Sequence, residues 1–237
     1  MTDLSSFDYK SALLSYFQNF ITVPKFEKFE RIAKNRTRHV TVVLEDVYQA
    51  HNASAVLRSC ECFGIQDVYF IENRYEYQIS PDVALGSTKW IDIYRYNEPE
   101  FDNTTACIND LKSKGYKIYA TTPHTDDCMI NDLPLDDKVA LLFGTELEGL
   151  SETALKLADG FVRIPMYGFT ESYNISVSAA LSLFSVSENL RSQHIDFGLS
   201  EMELVDLKLN WCRTSVKTPE LHEKHFLNDL YDEGRSS

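Results

Sequence analysis

The chain has 237 residues, 43% of them hydrophobic, and a formal charge of −13 from 23 basic and 36 acidic residues. This length suits one sizeable domain with helical extensions better than two full domains. No apolar run approaches the roughly 20 residues that a membrane helix needs, and residues 1–10 lack the basic and apolar segments of a signal peptide. We therefore expect a cytoplasmic protein with no membrane partner.

Five cysteines are spread along the chain, and none forms a Cys-x-x-Cys pair. The closest two, Cys60 and Cys62, lie on a predicted helix, where side chains two positions apart point away from each other. This spacing argues against a redox motif and a zinc knuckle. We predict reduced, structural thiols and no metal site.

Charge is unevenly distributed along the chain. Because phosphate binding needs cations, the net charge of −13 argues against a nucleic-acid partner. The segment 25–38 nevertheless carries six basic residues and only two acidic ones. A local patch of this kind can bind RNA while the total charge keeps the protein soluble, although an ordinary solvated helix face has the same composition. The basic residues are Lys25, Lys28, Arg31, Lys34, Arg36 and Arg38.

Helical and strand patterns alternate along the chain, which predicts an α/β fold with a mostly parallel sheet. The first helix after a strand is expected to begin with Asn52 as its N-cap and to end at Gly64. Pro24 is expected to separate the first two helices and Pro219 to divide the tail. Helices are predicted over 8–20, 25–34, 52–64, 100–114, 151–158 and 174–194 and beyond Ser200, and strands over 39–46, 67–72, 116–121, 138–144 and 160–165.

Loops at the carboxyl ends of parallel strands form ligand crevices, and three such loops follow Thr121, Leu142 and Arg163. None contains G-x-G-x-x-G or a P-loop, so the ligand is expected to be held by backbone groups and shape. Glu146 and Glu148 in the second loop have the character of solvent-facing turn residues. The third loop has thirteen residues, which exceeds the usual two to six and favours a functional role.

The segments "HNASAVLRSCECFGI", "ALLFGTELEGLS" and "RIPMYGFTESYNISVSAALSLF" occur in this order along the chain. They resemble the three motifs of the SpoU/TrmH family of RNA ribose 2′-O-methyltransferases. The resemblance runs from about residue 39 to 191, roughly two-thirds of the chain. The basic segment before the first strand and the helical tail are more like the tRNA-specific TrmH branch than the ribosomal branch.

The resemblance implies a methyltransferase domain over 39–195 with a C-terminal deep trefoil knot, a basic RNA-binding extension over 1–38 and a helical extension over 196–237. It also implies a homodimer and a pocket for the methyl donor S-adenosylmethionine. Tyr173 departs from the leucine that is usual in the family, and we expect its backbone, rather than its side chain, to hold the cofactor. The implied cofactor residues are Thr121, Leu142, Gly144, Ile164, Met166 and Tyr173.

The catalytic positions that match the motifs are Asn52, Arg58, Ser172 and Asn174. Arg58 stands in the middle of an otherwise core-like helix. The family proposal makes this arginine the base that removes the ribose 2′-proton. Because a guanidinium group stays protonated in proteins, Arg58 can instead hold the neighbouring phosphate and stabilise the developing alkoxide. Asn52 helps to hold Arg58 or RNA, or is only an N-cap.

The expected substrate is the D-loop guanosine of tRNA, guanosine 18. Three alternatives remain open at this point: methylation of ribosomal RNA or of the tRNA wobble ribose, an RNA-binding paralogue that has lost catalysis, and an α/β enzyme acting on a small molecule. Intact Asn52, Arg58, Ser172 and Asn174 argue against loss of catalysis. The small-molecule alternative suits the acidic charge but leaves the basic segment unexplained.

Overall fold

A six-stranded parallel sheet organises the unit Thr37–Phe197. The computed structural model describes residues 3–123, 128–193 and 196–233. The strands are β1 (Val40–Glu45), β2 (Asp67–Ile71), β3 (Asp92–Tyr96), β4 (Tyr116–Thr121), β5 (Lys138–Phe143) and β6 (Gly160–Val162). Their order is β3-β2-β1-β5-β4-β6, and every neighbouring pair is parallel. The predicted α/β fold with a parallel sheet is confirmed.

Helices connect these strands and also form both ends of the chain. They are α1 (Phe7–Gln18), α2 (Val23–Ala33), α3 (Ala50–Phe63), α4 (Pro81–Ala84), α5 (Asn103–Ser113), α6 (Glu152–Leu157), α7 (Ile175–Ser192), α8 (Glu201–Ser215) and α9 (Pro219–Glu233). Short 3-10 helices cover 87–89 and 130–132. Among the described helices, none has the length and apolar character needed to cross a membrane.

Both faces of the sheet are buried. Alternate residues of a strand point to opposite faces, so Val42 and Val43 of β1 enter different cores. Val42 belongs to the core formed with α3 and α7, and Val43 to the core formed with α5. This burial on both sides explains why β1 and β5 are nearly continuous apolar runs rather than alternating patterns.

Two predicted boundaries are wrong, and other predicted positions fall outside the described residues. Helix α3 begins at Ala50 with Gln49 as its N-cap, so Asn52 is not the cap. Pro24 lies in the first turn of α2 and so does not separate the first two helices. Backbone N–H groups in the first turn of a helix have no helical acceptor, so a proline, which lacks this group, is tolerated there. The predicted end of α7 at residue 194 and the domain boundary at 195 lie outside the described residues, as does residue 124 in the first loop.

Strand β3 has no counterpart among the predicted elements. This strand pairs only with β2, at the edge of the sheet, and its residues Asp92–Tyr96 are partly or fully exposed. A short edge strand needs no apolar run, and a charged residue on it discourages pairing with other chains. The signal on which strand prediction depends is therefore absent here.

Glu45, at the end of β1, is 2% exposed and joins three elements. Its carboxylate accepts hydrogen bonds from the Thr104 hydroxyl at 2.6 Å and from the backbone N–H and hydroxyl of Ser151 at 2.8 Å each. Ser151 caps α6 by accepting from the Ala154 N–H, as predicted. A buried carboxylate is tolerated only with such partners, and this one fixes where α6 begins.

The two terminal segments belong to a second unit, Met1–Arg36 with Gly198–Ser237. Within it, Lys10 forms an ion pair with Asp206 at 2.7 Å, and the rings of Phe29 and Trp211 lie 5.5 Å apart. The predicted division of the tail at Pro219 is confirmed, because α8 ends before this residue and α9 begins with it. The two terminal segments therefore contact each other, and the bounds 1–38 and 196–237 of the two extensions stay predictions.

Candidate active site

The three loops that follow β4, β5 and β6 line one cavity of about 470 Å³. The fold explains this meeting, because β4 lies between β5 and β6 in a parallel sheet, so all three strands end at the same edge. The cavity lining includes five of the six predicted cofactor residues, namely Thr121, Gly144, Ile164, Met166 and Tyr173.

Leu142, the sixth, does not line the cavity. Its side chain is fully buried in the core next to α5, and its carbonyl oxygen accepts a hydrogen bond of 2.7 Å from the Thr121 hydroxyl. Leu142 therefore lies behind the lining, where it positions Thr121. The strand has not yet reached the sheet edge at this residue, and the expected contact of backbone groups around Leu142 with the cofactor stays a prediction.

A tight turn over 145–149 forms one wall of the cavity. Thr145 and Gly149 exchange backbone hydrogen bonds of 2.9 and 3.0 Å, and Gly149 has a φ of 71°, in the left-handed region. Gly144 lies so close to the backbone of Gly149 and Leu150 that a Cβ on Gly144 would overlap it. Glycine is therefore required at 144 by space and favoured at 149 by backbone conformation.

A hydrogen-bonded triangle joins the three motif segments. Asn52 and Asn174 both donate from Nδ2 to Oε1 of Glu146, the latter at 3.2 Å, and Asn174 also donates to Oδ1 of Asn52 at 3.2 Å. The structure thus brings together Asn52 from α3, Glu146 from the turn after β5 and Asn174 from the start of α7. These are the first, second and third motifs respectively.

Asn52 and Asn174 have different local roles. Asn174 caps α7, as predicted, since its Oδ1 accepts from the Ser176 N–H at 2.9 Å. Asn52 is 3% exposed and lies within the first turn of α3. Its side chain also donates to Gln49 at 2.9 Å. The Asn52 side chain therefore joins the N-cap residue of α3 to the triangle.

Glu146 is the functional candidate that the sequence analysis missed. The prediction that Glu146 and Glu148 are exposed is confirmed, but Glu146 accepts both asparagines and Glu148 forms an ion pair with Arg74. An acidic residue between two glycines looks like an ordinary turn. The two glutamates differ in role only because the distant residues 52 and 174 fold against this turn and bind Glu146. No local sequence signal could therefore have identified Glu146.

The third motif segment places Ser172 and Tyr173 on the cavity lining. Both residues are exposed. The Tyr173 hydroxyl donates a long hydrogen bond of 3.4 Å to the Pro165 carbonyl, across its own loop. This contact accommodates the tyrosine side chain within the loop, and the expected role of the Tyr173 backbone in holding the cofactor stays a prediction.

Arg58 is exposed on α3 and does not line the cavity. The core-facing residues of α3 include Val56 and Leu57, and Arg58 points away from them. Glu61 lies three positions further on, yet within the described chain no carboxylate or other group pairs with Arg58. The surroundings of Arg58 are therefore not core, and its guanidinium is accessible to a ligand.

The predicted basic segment divides into exposed and structural residues. Lys25, Lys28, Arg31 and Lys34 are exposed on or next to α2. The prediction is wrong for the last two residues of the segment. Arg36 is 1% exposed, with its guanidinium 5.6 Å from the Trp211 ring. Arg38 pairs with Asp67 at 3.0 Å and with Asp92 at 2.7 Å, across the ends of β2 and β3.

No group of three or more His, Cys, Asp or Glu side chains that could hold a metal ion occurs in the described ranges. The cavity instead offers hydroxyl, carboxylate and apolar groups. One of them is a buried polar group: the Ser182 hydroxyl of α7 is on the lining, is 0% exposed and has no hydrogen-bond partner in the described part of the chain.

The SpoU rRNA Methylase family matches residues 39–184, which include all three motif segments and the hydrogen-bonded triangle. The chain belongs to this family. A relative from Borreliella burgdorferi, named tRNA (guanosine(18)-2′-O)-methyltransferase, is 42% identical over 204 residues, covering 86% of this chain and 91% of the relative.

Solved structures of SpoU/TrmH proteins share the fold. The A. aeolicus TrmH/SpoU tRNA modifying enzyme superposes with a TM-score of 0.73 at 24% identity, over 82% of this chain and 98% of that chain. The SpoU methyltransferase AviRb from Streptomyces viridochromogenes, in complex with the cofactor AdoMet, superposes with a TM-score of 0.57 at 22% identity, over 68% and 62% of the two chains. At these identities the likeness shows the SpoU-type α/β fold alone.

The turn after β5 gives a prediction of stability. We expect Gly144→Ala to lower the free energy of unfolding by about 3 kcal/mol, because the new Cβ overlaps backbone that cannot move without opening the turn. Gly149→Ala is the matched control, since its Cβ meets nothing within 4 Å. Only its left-handed φ is strained, at about 1–2 kcal/mol. Urea unfolding measures both variants, and equal losses would show that the close approach at Gly144 is not a constraint.

Proposed function

We propose that the protein is an S-adenosylmethionine-dependent ribose 2′-O-methyltransferase that acts on guanosine 18 of tRNA in the cytoplasm. The observation that carries this proposal is the named relative at 42% identity over 86% of the chain. The hydrogen bonds that join all three motif segments at Glu146, on the lining of the first cavity, support it independently, because an active site needs its residues in one place.

The cavity suits the methyl donor in size and chemistry. Its volume of about 470 Å³ lies within the range of roughly 300–1,000 Å³ for small-molecule sites. Ile164 and Met166 offer apolar surface, and the Ser182 hydroxyl offers a buried polar group that a ligand can satisfy. Glu146 and Glu148 place negative charge on the same lining, which favours a sulfonium cation. Thr121, Gly144 and Tyr173 complete the proposed cofactor residues, with Leu142 behind them.

The bound donor supplies an electrophilic methyl group on a sulfonium sulfur. Transfer would form a bond between this methyl carbon and the ribose 2′-oxygen and break its bond to sulfur, leaving a neutral thioether, while the 2′-proton would pass to solvent. Asn52, Glu146 and Asn174 hold the edge of the cavity in one arrangement, and with Ser172 they orient the ribose. Arg58 binds the adjacent phosphate and stabilises the alkoxide as it forms, since a guanidinium makes strong hydrogen bonds to both groups. Positioning of this kind supplies much of the rate.

We also propose that the chain carries the deep trefoil knot of its family. The support is the family match over 39–184 and the superposition on a TrmH/SpoU enzyme with a TM-score of 0.73. Knots are rare exceptions to normal connectivity, so the argument rests on membership of the family and not on general topology. An experimental backbone trace in which the C-terminal part can be withdrawn without passing through a loop would contradict it.

We propose that the protein is a homodimer that forms through α7. Val177, Leu181 and Phe184 are 44%, 40% and 57% exposed, and their spacing of four and three places them on one face of the helix. The same helix lines the cavity with Ser178 and Ser182. An exposed apolar stripe of this kind marks an interaction surface, and a two-fold dimer buries the same stripe from both chains.

The first prediction tests the reaction. Wild-type protein is expected to transfer tritium from labelled S-adenosylmethionine to tRNA, with the methyl group mapped to the ribose of nucleotide 18. Arg58→Ala is expected to lower the rate at least about 100-fold, the scale for losing one group that stabilises developing charge. Its unfolding midpoint should not change, because Arg58 is exposed and unpaired within the described chain.

Lys117→Ala removes an exposed cation away from the site and serves as the control. Transfer to ribosomal RNA alone, or to another tRNA nucleotide, would overturn the proposed substrate. Full turnover in Arg58→Ala would overturn the proposed mechanism while leaving the reaction intact.

The second prediction concerns the exposed cations of α2. Replacing Lys25, Lys28, Arg31 and Lys34 by alanine is expected to weaken tRNA binding and to flatten the plot of log affinity against log salt by up to about 3 units, because each lost phosphate contact removes about 0.7–0.9. Filter binding at several salt concentrations measures this slope. A control variant removes four exposed lysines of the other unit, Lys89, Lys117, Lys138 and Lys156. Equal slopes in the two variants would place the RNA contacts elsewhere.

The third prediction concerns the dimer. Combining Leu181→Glu with Phe184→Glu is expected to give a monomer by light scattering, because two carboxylates would be buried unpaired at the interface. Phe101→Glu, at a residue 61% exposed and outside this stripe, is the matched control and should leave the mass unchanged. A wild-type mass of one chain, or a dimer that survives the double substitution, would contradict the proposed interface.

A further inference from the structure

A second cavity, of about 450 Å³, adjoins the first. It lies among the loop after β1, the loop after β2 and the turn over 145–149, and its lining includes Tyr48, Arg74 and Tyr75. Glu146 and Glu148 belong to the lining of both cavities, so the turn is their common wall. The mechanism described above uses the first cavity, this wall and Asn174, which lies on the lining of the second cavity. It gives no role to the rest of the second cavity.

Two tyrosines form an exposed aromatic pair at the second cavity. Tyr48 is 73% exposed and Tyr75 is 41% exposed, with ring centroids 5.0 Å apart and ring planes at 66°. Burial of an aromatic ring is strongly favourable, so two such rings left open beside a reaction site suggest a ligand with a flat surface. Nucleobases are such ligands, and single-stranded RNA is commonly held by stacking on aromatic side chains.

Arg74 contacts this pair at Tyr75. Its guanidinium lies 5.8 Å from the Tyr75 ring centroid and forms ion pairs with Asp46, at 3.2 Å, and with Glu148. Oδ1 of Asp46 also accepts the backbone N–H groups of Asn73 and Arg74, each at 2.8 Å. The hydrogen bonds that the Arg74 guanidinium donates to Glu148 and Asp46 raise its pKa. These contacts make Arg74 a positioning residue that ties the loop bearing Tyr75 to the common wall.

The charge of the second cavity selects which part of an RNA it can accept. Arg74 is already paired with the carboxylates of Asp46 and Glu148, and Glu146 adds a further negative charge to the lining. A phosphate would be repelled here, because like charges at close range disfavour binding. A neutral base is not repelled, and its N–H groups can donate to carboxylate oxygens.

We propose that the Tyr48–Tyr75 pair stacks the base of the nucleotide whose ribose is methylated, while that ribose lies at the common wall and the methyl donor lies in the first cavity. This inference rests on the proposed function. It gives the second cavity a defined occupant, the target nucleobase, and makes Tyr48 and Tyr75 binding residues for RNA. The first cavity then holds the methyl donor and the second holds the target nucleobase, on either side of Glu146.

A comparison of two substrates tests the stacking. On intact tRNA, Tyr48→Ala is expected to lower kcat/KM about 5- to 100-fold, the range expected for loss of one base–aromatic stack. On a tRNA that lacks the base of nucleotide 18, wild-type protein should show a comparable loss, and Tyr48→Ala should add little to it. Phe101→Ala, which removes an exposed ring outside both cavities, should not distinguish the two substrates.

Wild-type activity on the abasic tRNA equal to that on intact tRNA would overturn the proposal. So would an equal loss on both substrates in Tyr48→Ala, since that would reflect a distorted site rather than a lost stack. Binding of S-adenosylmethionine measured by calorimetry, and the unfolding midpoint, should be the same in Tyr48→Ala and wild type.

A fluorescence measurement separates this proposal from the proposed function. A tRNA carrying 2-aminopurine at nucleotide 18 is expected to lose fluorescence on binding wild-type protein and to recover it with Tyr48→Ala, because stacking quenches this base. The measurement needs binding only and does not depend on methyl transfer. Failure of transfer with quenching present would overturn the reaction and not the stack, whereas transfer without quenching would overturn the stack and not the reaction.

Discussion

The close approach of Gly144 to the backbone of Gly149 and Leu150 is the constraint on which the site depends. It folds the chain back immediately after β5, so the turn over 145–149 stands at the sheet edge instead of extending into solvent. Glu146 is thereby held where the first and third motif segments can reach it. Without that approach, the asparagines at 52 and 174 would lose their shared acceptor, and the two cavities would lose the wall between them.

This wall explains how an acidic protein can organise a reaction on RNA. Glu146 and Glu148 face both cavities, and each is bound to a fixed partner, Asn52 with Asn174 for the first and Arg74 for the second. Carboxylates here favour a sulfonium on one side and base N–H groups on the other, while they disfavour phosphate on both. The phosphate backbone would then lie outside the cavities, where the exposed guanidinium of Arg58 is accessible.

Sequence patterns predicted the parts of the fold that depend on local chemistry. Apolar runs located β1 and β5, Gly64 marked the end of α3 with a φ of 80°, and Asn174 capped α7. Sequence patterns failed where the structure or role of a residue depends on residues far away in the sequence. The edge strand β3 has no apolar run, and Arg38 looked like part of a basic patch because its partners, Asp67 and Asp92, are far along the chain. The role of Glu146 was missed for the same reason, since it exists only once α3, the turn after β5 and the start of α7 have met.

The correction at Arg36 and Arg38 sharpens the account of RNA affinity. With those two charges used inside the protein, four exposed cations remain in the segment 25–38 of a chain with a net charge of −13. Electrostatic attraction to phosphate falls steeply with salt, so four contacts lose much of their contribution at physiological ionic strength. Stacking on Tyr48 and Tyr75 depends on apolar and π contact and is far less sensitive to salt. On these two proposals, α2 supplies attraction to RNA in general, whereas the aromatic pair selects the nucleotide that reaches Glu146.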